Sequence, residues 1–137
     1  MFRYRKSYKK FKKDGPSETC VFCNVTDRPI IKETKHVQVI ANIYPYDIWE
    51  HRDVTDHLLL MPKKHVKSLA ELPDTAKIDI INFISEYENN GYDVYARAVN
   101  SKLRSIPLHQ HTHLIKATGK PANISLYVKK PYIVTKL

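Results

Sequence analysis

Alternating hydrophobic and polar residues predict β-strands along much of the chain. Residues 36–43 (HVQVIANI) alternate and are rich in β-branched side chains, which is typical of a strand with one buried face. Residues 57–62 (HLLLMP) form a short apolar run and are predicted to be a buried strand. Residues 92–100 and 109–115 also alternate, and residues 124–134 are predicted to add one or two further strands.

One long segment has helical periodicity instead. Asp74 is predicted as the N-cap of a helix over residues 75–90, and Gly91 as its C-terminal stop. A shorter helix is predicted at residues 66–72, ending before Pro73. The side chains predicted to face the core share one side of the long helix: Ile80, Ile81, Ile84 and Tyr87. The predicted fold class is therefore α+β, an antiparallel sheet with one main helix and a short second helix.

The positive charge of the chain is concentrated at its N-terminus. The net charge is +9, but residues 1–13 contain seven Arg or Lys and no acid, which leaves 16 basic and 14 acidic side chains for the rest. We therefore expect a basic tail over residues 1–17, followed by one domain over residues 18–137. Aromatic residues within the tail suggest binding to RNA or an anionic surface. Composition favours the alternative of a solvated, partly disordered extension.

Length and hydropathy limit the class of protein. A chain of 137 residues is long enough for one core but not two. No apolar run approaches the roughly 20 residues needed to span a bilayer. No apolar segment follows the basic N-terminus, as a secretory signal would require, so we expect a cytoplasmic protein without a membrane span.

Three histidines alternate along the predicted strand at residues 109–115. On a strand, His109, His111 and His113 would lie on one face, about 6 to 7 Å apart. Core packing gives no reason for such a row of imidazoles. The pattern is compatible with a metal site, with a nucleophile and its supporting groups, or with a chance polar face.

The two cysteines of the chain, Cys20 and Cys23, have C-x-x-C spacing. A disulfide scaffold would normally need more cysteines. In a reducing compartment this spacing indicates half of a metal site or a redox pair, and two unligated thiols are the simpler alternative.

Taken together and in this order, the motifs resemble those of the histidine-triad family. His109-x-His111-x-His113 followed by Leu114-Ile115 matches the family motif. Residues 56–66 (DHLLLMPKKHV) are similar to the strand–turn–helix signature of the family, and Cys20-x-x-Cys23 is similar to the C-x-x-C of its zinc-containing members. The resemblance covers about residues 18–116. It implies an antiparallel histidine-triad sheet and, frequently, a homodimer.

The resemblance assigns the chemistry to the second and third histidines of the motif. It implies that His111 attacks the α-phosphate of a nucleotide and forms a nucleotidyl-histidine intermediate. A neutral imidazole can do this if its second nitrogen donates a hydrogen bond that fixes the tautomer. His113 would stabilise the phosphoryl oxygens.

The resemblance also implies a nucleotide pocket. Asn42 would bind the ribose hydroxyls, Ile43 would contact the base, and Asn100 would lie beside the phosphate. His57 is expected near this pocket rather than in a metal site.

The zinc-containing branch of the family implies four metal ligands, which map to Cys20, Cys23, His65 and His109. Two thiolates and two imidazoles form a closed tetrahedral set, so the zinc would be structural. It would fix the orientation of the strand that carries the triad.

The sequence also departs from the family pattern. Gln110 and Thr112 occupy positions that are usually apolar, and residues 101–108 lack the glycine-rich turn that commonly wraps the phosphates. The loop at residues 44–56 is longer than usual. These departures leave the general acid and the substrate open.

Three functions are compatible with the sequence. The first is a histidine-triad enzyme, either a hydrolase of phosphoramidates or dinucleoside polyphosphates, or a nucleotidyl transferase. The alternative is a non-catalytic, zinc-stabilised module that binds nucleotide or RNA. A C-x-x-C redox protein is the third, and it would bind no metal. The intact triad favours the enzyme, because a binding module has no need for His111.

Overall fold

The computed structural model describes residues 3–13, 20–122, 124–126 and 133–135 of the chain. Two α-helices, α1 and α2, and a short 3-10 helix lie in these segments: Arg5–Lys13, Asp74–Asn89 and Leu69–Glu71. Nine strands, β1 to β9, complete the described part: Ile30–Glu33, Val37–Ala41, Ile48–Trp49, Arg52–Asp53, Asp56–Pro62, Asp93–Tyr95, Thr112–Lys116, Ile124–Leu126 and Ile133–Thr135. The predicted α+β class, with one main helix against an antiparallel sheet, is confirmed.

The main sheet has five strands in the order β1-β2-β5-β7-β6, and all its pairs are antiparallel. Strand β5 lies in the middle and β7 pairs with it on one side. In this register, Leu59 of β5 and Tyr95 of β6 both pair with His113. The third triad histidine therefore sits between two neighbouring strands in the interior of the sheet.

Alternation along the strands divides the sheet into two faces. One face packs against α2 through Val37, Val39, Leu58, Leu60 and Leu114. Successive side chains of a strand point to opposite faces, so His57, Leu59 and His113 project from the other one. A second apolar cluster covers that face: Phe22, Ile40, Leu59 and Met61, with Cys20, Val25 and Ile106 packed against it. The triad thus lies on the face opposite the main helix.

The buried side of α2 differs in part from the predicted one. Its buried residues are Ala76, Ile80, Phe83 and Tyr87. The prediction that Ile81 faces the core is wrong, because this side chain is 62% exposed. A step of one residue turns a helix by about 100°, so Ile81 cannot share a stripe with Ile80.

The ends of α2 confirm one predicted signal and correct another. Gly91 has φ of 80°, in the left-handed region, and follows the C-cap Asn90. Glycine adopts this conformation at little cost, so the predicted stop is confirmed. Pro73 rather than Asp74 is the N-cap, and Asp74 belongs to the first turn, where its charge favours the helix dipole.

Several strands are shorter than the sequence predicted. Strand β7 begins only at Thr112, so His109 and His111 precede its ladder. Strand β6 spans three residues rather than nine. The loop at residues 44–56 contains the small β3–β4 hairpin, which turns through positive φ at Glu50 and His51. Strands β8 and β9 confirm the prediction of one or two strands near the C-terminus.

The N-terminal segment is attached to this hairpin loop. Residues 5–13 form α1, whereas the sequence favoured a partly disordered extension. Asp47 accepts hydrogen bonds from the Tyr4 backbone N–H at 2.7 Å and from the Ser7 hydroxyl at 2.9 Å. A carboxylate at this position also interacts favourably with the helix dipole. The predicted boundary near residue 17 lies outside the described residues. None of the described helices is long and apolar enough to cross a membrane.

Truncating Phe83 tests the assignment of the buried helix face. Phe83→Ala should lower the free energy of unfolding by about 3 to 5 kcal/mol, because it removes a buried ring and leaves a cavity. Ile81→Ala, the matched control on the exposed face, should change it by less than about 0.5 kcal/mol. Urea denaturation measures both. A larger loss for Ile81→Ala than for Phe83→Ala would contradict the observed helix orientation.

Candidate functional site

Four predicted metal ligands come together at the edge of the triad. The donor atoms of Cys20, Cys23, His65 and His109 all lie within 4.8 Å of one another. His109 Nδ1 lies 3.3 Å from Cys20 Sγ and 3.7 Å from Cys23 Sγ, and His65 Nδ1 lies 3.0 Å from Cys23 Sγ. Sulfur and nitrogen ligands of one tetrahedral zinc ion are about 3.5 Å apart, given the usual bond lengths. The four side chains therefore fit a single metal ion.

The orientation of His109 suits a ligand role. Its Nε2 lies 2.8 Å from the carbonyl oxygen of Pro62. A carbonyl only accepts, so Nε2 carries the proton and Nδ1 presents its lone pair toward the cysteines. A hydrogen bond of this kind from the second nitrogen is the usual support of a metal-bound histidine. The four ligands leave no open coordination position, which favours a structural role over a catalytic one.

The C-x-x-C segment also shapes the site through the residue Phe22. Phe22 lies between the two cysteines in the sequence. Its ring is buried and contacts His109 and His111 edge-on, with centroids 5.7 and 5.2 Å apart. Val66 O accepts the backbone N–H of Gln110 at 2.7 Å, which ties the triad to the turn after His65. Metal ligands and triad thus form one packed unit.

His111 is held in a single tautomer. Its Nδ1 lies 2.9 Å from the carbonyl oxygen of His109, so Nδ1 carries the proton. Burial lowers the pKa of His111, which keeps the ring neutral. The Nε2 atom therefore bears a lone pair, as a nucleophilic imidazole requires.

His57 and His113 form a buried pair with a fixed hydrogen-bond direction. The backbone N–H of Tyr46 donates to His57 Nδ1 at 2.9 Å. His57 Nε2 must then carry the proton of the neutral ring, and it lies 2.9 Å from His113 Nδ1. His113 accepts this bond at Nδ1, so its own proton is on Nε2. Burial lowers the pKa of His57 to about 3 and that of His113 to about 2, so both rings are neutral.

The direction of these hydrogen bonds leaves His113, but not His57, with a free donor for a ligand. Both nitrogens of His57 are engaged and the residue is 3% exposed, so it can position His113 but is poorly placed to touch a substrate. The Nε2–H of His113 remains as a donor, and its ring lies 5.2 Å from that of His111. His111 and His113 can therefore present an unprotonated nitrogen and a hydrogen-bond donor side by side.

An aromatic wall borders the triad. Tyr46 stacks on His113 with centroids 5.3 Å apart, and Tyr95 lies 5.8 Å from the same ring. Trp49 stacks on Tyr46 in turn, at 6.2 Å. Tyr46 and Trp49 are thus packed against other aromatic rings of the protein.

The other predicted pocket residues differ in their distance from the histidines. Asn42 lies beside His57, with its Nδ2 3.4 and 3.2 Å from the two ring nitrogens, and its Oδ1 accepts the Tyr44 backbone N–H at 3.0 Å. Ile43 follows it and is 39% exposed. Asn100 lies exposed in a turn, and none of the described contacts joins it to the triad. The structure thus places Asn42 beside His57, which contacts His113.

Arg104 belongs to the site although the sequence analysis did not single it out. It is 6% exposed and donates to the carbonyl oxygens of Lys67 at 2.9 Å and His109 at 3.4 Å. The His109 carbonyl also accepts from His111, so Arg104 helps to fix the group that orients His111. Its position in the loop before the triad offered no periodic signal from which to infer burial.

The polar side chains of Gln110 and Thr112, at positions that are usually apolar in the family, interact with each other. Both residues are buried, and the Gln110 side-chain amide lies 3.5 Å from the Thr112 hydroxyl. The two polar side chains therefore face each other.

Comparisons with known proteins agree with this geometry. No family model and no curated protein matches the chain by sequence. Among solved structures, a HIT family hydrolase from Clostridium thermocellum is 21% identical with a TM-score of 0.55, covering 75% of this chain and 94% of that one. A histidine triad protein from Clostridium difficile is 24% identical with a TM-score of 0.53, covering 80% and 98%. The chain has the histidine-triad fold.

A third structure matches a larger share of this chain. A hypothetical histidine triad nucleotide-binding protein from Sulfolobus tokodaii is 19% identical with a TM-score of 0.56, covering 85% of this chain and 81% of that one. At such identities the likeness establishes the fold. It confirms the fold that the resemblance in sequence implied.

Removing a thiolate tests the metal centre. We expect about one zinc ion per chain in the purified protein and its loss in Cys23→Ser, with a lowered Tm, because the ligand set loses a thiolate. His51→Asn, an exposed position whose positive φ asparagine tolerates, is the control and should keep the metal. Elemental analysis and thermal unfolding with and without a chelator measure this. The redox alternative would be favoured if the purified protein contained no metal and if neither the chelator nor Cys23→Ser changed its Tm.

Acid should destabilise the fold through the buried histidine pair. The pKa values of His57 and His113 are lowered from 6.5 to about 3 and about 2. Below 6.5 the unfolded chain binds protons that the folded chain does not, so the free energy of unfolding falls as the pH drops toward about 3, by up to about 1.4 kcal/mol per pH unit for each histidine.

Urea denaturation at roughly pH 7 and roughly pH 5 measures this loss. His57→Asn should give a smaller difference between the two pH values than wild type, since one of the two histidines is gone. His51→Asn should keep the wild-type difference. Equal differences in all three proteins would show that the buried pair does not set the acid sensitivity.

Proposed function

We propose that this protein is a nucleotide hydrolase of the histidine-triad type, with His111 as the nucleophile. The observation that carries the proposal is the hydrogen bond from His111 Nδ1 to the carbonyl oxygen of His109, 2.9 Å long. It leaves the Nε2 lone pair on a neutral ring, the form in which imidazole attacks phosphorus. The names of structural neighbours, which include hydrolases and a nucleotide-binding protein, support the same class.

The first step is attack of His111 Nε2 on the α-phosphorus. A P–N bond forms, the bond from phosphorus to the leaving group breaks, and the leaving group takes the electron pair. The Nε2–H of His113 donates a hydrogen bond to a phosphoryl oxygen as charge moves onto it. Its direction is set by His57, whose Nε2 lies 2.9 Å from His113 Nδ1.

The second step is hydrolysis of the intermediate. Water attacks phosphorus, the P–N bond breaks, and its electron pair returns to His111 Nε2. The water gives up one proton to bulk solvent, and the nucleoside monophosphate is released. A nucleotidyl transferase would differ only here, by admitting another acceptor in place of water.

Zinc is the metal we propose for the four-ligand centre, and Cys20, Cys23, His65 and His109 would hold it. When bound, it supplies cross-linking rather than a reacting group, because its ligands are all protein side chains. Asn42 and Ile43 are proposed at the ribose and base side of the pocket. A homodimer is proposed on the family resemblance alone.

Release of nucleoside monophosphate tests the function. Wild type should form AMP from an adenosine phosphoramidate or a dinucleoside polyphosphate, and His111→Ala should lower kcat/KM by at least about a thousandfold, because no second group can form the P–N bond. His51→Asn should match wild type. Chromatography of the products measures the rates. Equal inertness of wild type and His111→Ala across such a panel would favour the non-catalytic binding module.

A further inference from the structure

Two arginines reach the aromatic wall beside the triad. The guanidinium carbon of Arg3 lies 4.8 Å from the ring centroid of Tyr46, and that of Arg97 lies 5.3 Å from the ring centroid of Tyr95. Burial raises the pKa of Tyr46, and Arg97 and Arg3 act against this rise. Both tyrosine rings contact His113. Each guanidinium is therefore one aromatic ring away from the donor histidine of the site.

The two charges act on the reaction centre and on each other. The pKa of His113 is lowered by burial first and then by neighbouring groups that include Arg97 and Arg3. Burial lowers the pKa of Arg3 as well, and the like charge of Arg97 adds to this effect. Among the described residues, no carboxylate forms an ion pair with Arg97. An anion between the arginines would relieve the repulsion.

Arg3 is positioned by the N-terminal segment. Its guanidinium donates to the Tyr44 carbonyl oxygen at 2.7 Å, and the next residue, Tyr4, is bound to Asp47 through its backbone N–H. Asp47 also accepts from the Ser7 hydroxyl. The guanidinium is thus half-buried and oriented before a ligand arrives, which lowers the entropic cost of binding.

We propose that Arg3 and Arg97 form a binding site for a second phosphate group, the one joined to the α-phosphate of the substrate. Planar guanidinium groups suit this ligand, because they donate paired hydrogen bonds to phosphate oxygens. The inference rests on the proposed function and narrows its substrate class. The enzyme takes nucleotides with a phosphoanhydride bond in preference to phosphoramidates with an amine leaving group.

The chemistry of the leaving group agrees with this preference. An amine must gain a proton as the P–N bond to it breaks, whereas a phosphate leaves as an anion that keeps the bridging oxygen and the electron pair. His113 is a neutral hydrogen-bond donor, and its pKa of about 2 makes proton delivery from an imidazolium unavailable near neutral pH. Two guanidinium groups would stabilise the departing phosphate instead.

Binding of inorganic pyrophosphate tests the site without any nucleotide. Trp49, the single tryptophan of the chain, stacks on Tyr46, so its fluorescence should report an anion beside that ring. Wild type should bind pyrophosphate saturably, and Arg3→Gln and Arg97→Gln should each bind about tenfold or more weakly, since each loses a charged hydrogen-bond donor. Lys9→Gln removes the same charge from an exposed position of α1 and should change Kd less than about twofold, as expected for a screened surface charge.

A parallel titration separates this inference from the proposed function. In a His111→Asn background, which prevents turnover, ADP should bind more tightly than AMP, and Arg3→Gln should abolish most of that difference while changing AMP binding little. If pyrophosphate binding depends on the arginines but AMP does not bind, the anion site stands and the proposed function falls.

Two results would overturn the anion site. One is AMP binding with no preference for ADP and no saturable pyrophosphate binding. The other is an equal loss of pyrophosphate affinity in Arg3→Gln, Arg97→Gln and Lys9→Gln, which would mean that only net charge matters. Thermal unfolding checks that the variants are folded. Arg3 lies outside the main sheet, so Arg3→Gln carries the test if Arg97→Gln does not fold.

Discussion

His109 is constrained through three of its atoms, and the rest of the site depends on that constraint. Its Nε2–H donates to Pro62 O, its Nδ1 faces the two cysteines, and its carbonyl oxygen accepts from His111. The first two contacts fix where the residue lies, and the third fixes the orientation of His111, the candidate nucleophile. Buried Arg104 contacts the same carbonyl. The candidate metal centre and the candidate nucleophile are therefore joined by one residue, so that cross-linking at Cys20 and Cys23 bears directly on the orientation of His111.

Burial gives the hydrogen bonds of the triad their direction. In a low-dielectric interior a charged imidazole is costly, so His57, His111 and His113 are neutral and each has one donor and one acceptor nitrogen. Backbone groups at both ends then settle every tautomer, since the Tyr46 N–H can only donate and the His109 carbonyl can only accept. No acidic residue is needed to orient the rings. The positive charges nearby belong to Arg3 and Arg97, which lie against the rings of Tyr46 and Tyr95.

Local hydrophobic pattern predicted most strands of the main sheet and the main helix, whereas the four metal-ligand positions were implied by the resemblance to the histidine-triad family. It could not predict contacts made across long sequence distances. Arg3 contacts Tyr44 and Tyr46, and Arg104 contacts Lys67, and nothing in the neighbouring residues indicates those partners. Phe83 was missed for a related reason: the choice between two apolar stripes on α2 is made by the sheet, not by the helix. Strand β1 was also missed, since all four of its residues are exposed and show no alternation of burial.

The proposed chemistry depends on fixed neutral tautomers, which leave a lone pair on His111 Nε2 and a proton on His113 Nε2. Long-range ¹H–¹⁵N correlation NMR of the metal-loaded protein at neutral pH observes this directly, because protonated and unprotonated ring nitrogens resonate in separate ranges. We expect His111 to be protonated only at Nδ1, and His57 and His113 only at Nε2. An imidazolium at any of the three, or His111 protonated at Nε2, would contradict it.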